Sequence, residues 1–189
     1  PVQYYHILSL RYFKYFSKEE SRLIMENKPY FIFGPLNEIS TTHGMVSMAA
    51  LHNVMHNNQM SDDLKIFGFF VQDTLDSIYE TVNVVSDCYK IRFTSNGMGP
   101  VDIWVHPNQV FQIFDSTYQD AQYIKANHLE PGIVVASIAG GMLVESVELI
   151  ENYSMIKMTM MNKYPSVIVG GILVFQTSDK KDKDIFFVV

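Results

Sequence analysis

Charge is the first thing this chain is short of. Charged residues make up 18% of its 189 positions, against about 25% in ordinary soluble domains. Part of its surface is therefore expected to be covered by a partner. Cations are scarcer still: 14 Lys and Arg against 20 Asp and Glu leave a net charge of −6. That balance opposes binding to phosphate backbones, which needs clustered Lys and Arg. The densest basic run, Lys180, Lys181 and Lys183, alternates with Asp179, Asp182 and Asp184 and reads as a solvated loop. A single cysteine, Cys88, excludes an internal disulfide and a cysteine-rich zinc site. Inside an apolar run it reads as a small buried hydrophobe, in a protein assembled in the cytoplasm. No run reaches the roughly 18 apolar residues of a membrane-spanning helix. The opening, Pro1-Val2-Gln3-Tyr4, lacks the basic stretch of a secretory leader.

What is present is apolar surface. Hydrophobic residues reach 48% and aromatics 13%, enough for the core of one domain with or without a docking arm. Ser17-Lys18-Glu19-Glu20 has the form of a capping box opening a short helix, which Pro29 ends. A second helix is expected from Met45 to His56, with Met45, Met48, Ala49, His52 and Met55 on one face. Strand patterns occupy most of the remainder. They are Tyr30 to Phe33, Ile66 to Val71, Thr81 to Val85, Cys88 to Thr94, Val101 to Val105, Val110 to Phe114, Ile133 to Ile138, Met142 to Leu149, Ser154 to Met161 and Ile168 to Gln176. The fold class expected is mainly β with a small helical N-terminal part (α+β), as a β-sandwich or paired antiparallel sheets. The organisation expected is a docking segment over residues 1–60 and a β-rich body over 61–189.

Chemical signatures are weak. His52 and His56 stand at i, i+4 with His43 close by, but Asn53 occupies the position where a zinc hydrolase carries its glutamate base. Pro1 suggests an N-terminal amine base, without the arginine pair a carboxylate substrate would need. Asp62-Asp63 and Asp73 with Asp76 sit beside turn residues that favour aspartate for backbone reasons. No phosphate-binding loop, dinucleotide fingerprint or nucleophile elbow occurs. Catalysis, metal and cofactor are accordingly not expected. The final Ile185-Phe186-Phe187-Val188-Val189 must pair, within its own sheet or with a neighbour.

Two stretches carry a resemblance. Pro131 to Val147, continuing through Ser154-Met155-Ile156-Lys157-Met158 to Gly170-Gly171-Ile172-Leu173-Val174-Phe175, resembles a β module of bacteriophage virion proteins. Leu10-Arg11-Tyr12-Phe13-Lys14-Tyr15-Phe16, followed by Lys28-Pro29-Tyr30-Phe31-Ile32-Phe33-Gly34, looks like the N-terminal arm of contractile-tail baseplate wedge proteins. The resemblance implies a non-catalytic component of tail, baseplate or neck, found in the virion. Its partners would be other virion proteins and copies of itself, with no nucleic acid or membrane. Tyr30, Phe31, Phe33, Phe186 and Phe187 are the expected interface residues, because aromatics dominate binding hot spots. A metal-dependent enzyme using His43, His52 and His56 and a ligand-binding β domain are the alternatives.

Overall fold

The computed structural model describes residues 29–68, 75–95, 97–114, 122–161, 166–177 and 185–187. The capping box at Ser17, Asp73 and the Lys180–Lys183 tract lie outside the described residues. Three short strands come first: β1 (Tyr30–Phe33), β2 (Glu38–Thr41) and β3 (Gly44–Ser47). Helix α1 (Met48–His56) follows, then β4 (Ile66–Phe67) and β5 (Leu75–Asp76). A long strand β6 (Ile78–Ser95) turns into β7 (Met98–Val105), followed by β8 (Val110–Gln112) and β9 (Gln122–Lys125). After one 3-10 turn at Ala126–His128 come β10 (Val134–Ser137), β11 (Gly140–Met160), β12 (Ser166–Val169), β13 (Ile172–Phe175) and β14 (Ile185–Phe187).

All these strands join one sheet, and every pairing is antiparallel. β1 bonds to both β7 and β11, while β7 bonds to β6 and β6 to β11. The path thus returns on itself, and a closed barrel replaces the expected sandwich or paired sheets. Strands from before residue 60 pair with strands from after it: β1 with β11, and β2 with β12.

β1 has no polar residue to spare because both its faces are buried. Alternate residues point to opposite sides. Phe31 and Phe33 enter the main core with Ile91, Phe93, Phe111 and Val174, while Ile32 enters a smaller cluster with Cys88 and Met155. The Cys88 thiol is pushed up to about 11 by burial, the behaviour of a small hydrophobe rather than a nucleophile.

Several expected boundaries moved for identifiable reasons. α1 starts at Met48, because Ser47 caps it by accepting from the Ala50 N–H at 3.1 Å, and Met45 lies in β3. Thr81–Val85 and Cys88–Thr94 form one strand. The polar break opposite them is a bulge, where Asn152 takes φ 52°, a left-handed conformation Asn tolerates. Ile168–Gln176 divides at Gly170 and Gly171, whose φ values of 56° and 84° make the hairpin turn that side chains resist.

Where β1 ends, a side chain extends its ladder. Asn37 donates from Nδ2 to the Trp104 carbonyl at 2.6 Å and accepts at Oδ1 from the Trp104 N–H at 2.9 Å. This needs close approach at Gly34, where an added Cβ would lie 2.6 Å from the Trp104 Cβ. Gly34→Ala is therefore expected to cost about 1–3 kcal/mol as overpacking. Urea unfolding checks it, and an unchanged midpoint would remove the steric reading.

Candidate functional site

The turn between β7 and β8 sets the site. His106 to Gln109 closes it: the Gln109 N–H donates to the His106 carbonyl at 3.0 Å, and the Asn108 N–H donates to His106 Nδ1 at 3.0 Å. With Nδ1 accepting, a neutral His106 ring carries its proton on Nε2. Pro107 follows His106 in this turn, and its fixed φ suits it to an early turn position. The turn leaves Gln109 with no exposed surface, a position that costs free energy unless the carboxamide is fully bonded.

It is bonded to β1 and to the end of β13. Gln109 Oε1 accepts from the Ile32 N–H at 3.1 Å and from the Thr177 hydroxyl at 3.0 Å. Its Nε2 donates to the Phe175 carbonyl. The Thr177 N–H donates to the Tyr30 carbonyl at 3.0 Å, and the His106 N–H to the Ile32 carbonyl at 3.1 Å. Entry strand β1, the β7–β8 turn and the chain leaving β13 thus meet at one buried polar knot. Only one orientation of the carboxamide satisfies two donors and one carbonyl together. Among the described residues no buried side-chain nitrogen or oxygen lacks a partner.

The chemistry available at the knot is uneven. Thr177 supplies a hydroxyl, buried and held, directly after the carboxamide residue Gln176. β1 supplies no aliphatic hydroxyl or thiol: Tyr30, Phe31, Ile32 and Phe33 include no serine, threonine or cysteine.

The residues expected to matter lie elsewhere or differently. Phe31 and Phe33 are fully buried in the chain's own core, their rings stacked at 5.8 Å. Tyr30 is half-buried with Lys157 Nζ 4.3 Å from its ring centroid, a cation–π contact within the chain. Phe186 and Phe187 lie in β14, which pairs with β9 of the same chain opposite Tyr123 and Gln122. Gln109 and Thr177 were missed. Their only sequence signals are a polar residue ahead of the apolar Val110-Phe111 and another just past the apolar Ile172–Phe175 run.

The three histidines do not share one site: His52 and His56 pack together with ring centroids 4.1 Å apart, while His43 is bound to Asp63. His43 Nε2 meets Asp63 Oδ1 at 3.1 Å, whereas His52 Nδ1 meets Thr81 Oγ1 at 2.8 Å and His56 Nε2 donates to the Thr81 carbonyl at 3.1 Å. No group of three or more His, Cys, Asp or Glu is arranged to hold a metal among the described residues. The metal-enzyme alternative is corrected accordingly: the pair at i, i+4 fastens α1 to β6.

Two outcomes follow from these contacts. Gln109→Leu strands the Ile32 N–H, the Phe175 carbonyl and the Thr177 hydroxyl, at roughly 1–3 kcal/mol for each group left unpaired. Urea denaturation is expected to show a large loss, and a midpoint equal to the unaltered protein would mean the carboxamide is not engaged. Burial, and then the neighbouring His56, hold His52 below its ordinary value. The unfolded chain therefore takes up the proton first, near pH 6.5. Stability present above that pH should fall as pH drops through the window down to the lowered folded value. His52→Gln should flatten that slope in stability measured from pH 7.5 to 5.5, and an unchanged slope would assign it to other groups.

No protein-family model matches the chain, and no curated protein is similar to it in sequence. Solved structures do match. A DnaB intein from Synechocystis is similar with a TM-score of 0.56 at 11% identity, over 78% of this chain and 99% of the intein. The gp41-1 intein gives 0.54 at 10%, over 78% and 98%. The VidaL intein gives 0.50 at 14%, over 81% and 97%. The expectations of a tail, baseplate or neck component, and of a protein without catalysis, are corrected by this finding, because the neighbours are inteins rather than virion structural proteins. The virion resemblance rested on the order of short β elements, which unrelated β folds share. At these identities the likeness establishes architecture: the chain has an intein-like, closed β fold.

Proposed function

We propose that this chain is a protein-splicing-type domain that processes its own backbone just past β13. The observation that carries the reading is the junction at Gln109. A domain that acts on its own flanks must bring the strand that enters it and the strand that leaves it to one protected point. Here the Thr177 N–H donates to the Tyr30 carbonyl at 3.0 Å, and Gln109 holds residues of both strands. The intein-like fold supports the same reading.

The bond at issue is the Gln176–Thr177 peptide. Thr177 Oγ1 attacks the Gln176 carbonyl carbon, the peptide C–N bond breaks, and the hydroxyl proton passes to the released Thr177 amine. The product is an ester, formed without any other reactant. Water then hydrolyses it, leaving a Gln176 carboxylate and a free Thr177 hydroxyl. Gln109 positions the segment through its bond to the Phe175 carbonyl. Burial keeps competing water away until the ester has formed.

Purified full chain, incubated at neutral pH and followed by intact mass, tests this. A body ending at Gln176 and a peptide beginning at Thr177 are expected. Thr177→Ala should abolish both. Thr177→Cys should accelerate their appearance, because sulfur is the better nucleophile. A folded chain that keeps its full mass over days, with Thr177 and with Cys at that position alike, overturns the proposal.

A further inference from the structure

Self-processing at Thr177 leaves open what happens at the other flank, and β1 answers that. The entry-side bond that faces the exit is Tyr30–Phe31, since the Tyr30 carbonyl is the acceptor for the Thr177 N–H. An acyl shift there needs a hydroxyl or thiol on the residue that follows the bond. That residue is Phe31, fully buried, its ring stacked on Phe33. Ile32 and Phe33 are equally without a nucleophile, and Gly34-Pro35-Leu36 bring none.

The backbone of this strand is also held from every side. The Ile32 N–H and carbonyl are taken by Gln109 and His106, and β1 is paired with β11 from Tyr30↔Thr159 to Phe33↔Ile156. The nearest thiol in the smaller cluster, Cys88, is buried and held protonated. It occupies the face of β1 opposite the one that Phe31 and Phe33 occupy.

We infer that processing is one-sided: the barrel keeps its upstream flank covalently attached, and only the downstream segment is released. One-sidedness presupposes the self-processing reading above. It differs from excision with ligation, in which residues 1–30 would become joined to Thr177 and the chain beyond it.

Full chain is incubated with and without hydroxylamine, which captures acyl esters and thioesters, and new termini are mapped by mass spectrometry. The expected result is loss of the segment from Thr177 onward, with no terminus or hydroxamate at residues 29–34. A ligated product, or any terminus or hydroxamate in that range, overturns the inference. Absence of cleavage anywhere agrees with an inert entry strand and counts against the self-processing reading, so the two failures are distinguishable. A second variant tests the cause. Phe31→Cys, verified as folded by its unfolding transition, is expected to gain dithiothreitol-dependent cleavage at Tyr30–Phe31. A folded Phe31→Cys that remains uncleaved there overturns the assignment of the missing nucleophile as the reason.

Discussion

One buried carboxamide constrains the rest of the molecule. Gln109 has no water to solvate it, so its bonds must be supplied by protein. Its three side-chain bonds reach β1, the last residue of β13 and Thr177. Satisfying them fixes where the chain enters the barrel relative to where it leaves. The knot is a register device as well as a site. A slip of β1 by one residue would remove the Ile32 N–H from Gln109 and exchange the two buried faces of the strand.

Those faces explain a feature that looked like an interface. A run such as Tyr30-Phe31-Ile32-Phe33 suggests an adhesive arm when read alone. In the fold it is a strand with a core on each side, and strands buried on both faces read as continuous apolar runs. The low charge of the chain has part of its origin here. Besides the main core, a second cluster of Ile32, Cys88 and Met155 lies beneath Tyr30, Trp104 and Tyr153. Apolar residues are consumed internally that a one-sided sheet would have left for a partner.

Legibility from sequence followed physical period. β1, β7 and β10 were read within about one to three residues, because apolar runs bounded by Gly and Pro signal strands directly. β2 and β3 were missed: Glu38–Thr41 and Gly44–Ser47 are four residues each, too short for an alternating pattern to stand out. β6 and β11 were each read as broken at polar pairs, Ser86-Asp87 and Glu151-Asn152, which look like turns. The structure uses them as facing sides of a bulge, so the strands continue. The site was illegible for a different reason. Gln109 and Thr177 are 68 residues apart and belong to common residue types. Only the closed topology brings them together, and no local pattern encodes it.

Stability and reactivity make opposite demands on β1 and the exit strand. β1 carries Phe31 in the core, and exchanging a buried aromatic ring for a small reactive side chain opens a cavity costing about 3–5 kcal/mol. At the exit, Phe175 is buried and apolar, but Gln176 and Thr177 lie beyond β13, where the backbone is held by a few side-chain and end bonds rather than by a ladder on both sides. A scissile carbonyl must become tetrahedral during attack, and a peptide free of ladder bonds meets less resistance to that change. The residues that make the entry strand a good core element are thus the ones that deprive it of chemistry. The residues just past the last β13 pairing retain a hydroxyl and a freer backbone. On the proposed reading, what separates the two flanks is where the ladder ends, since β13 is itself buried throughout and Gln176 and Thr177 lie just past it.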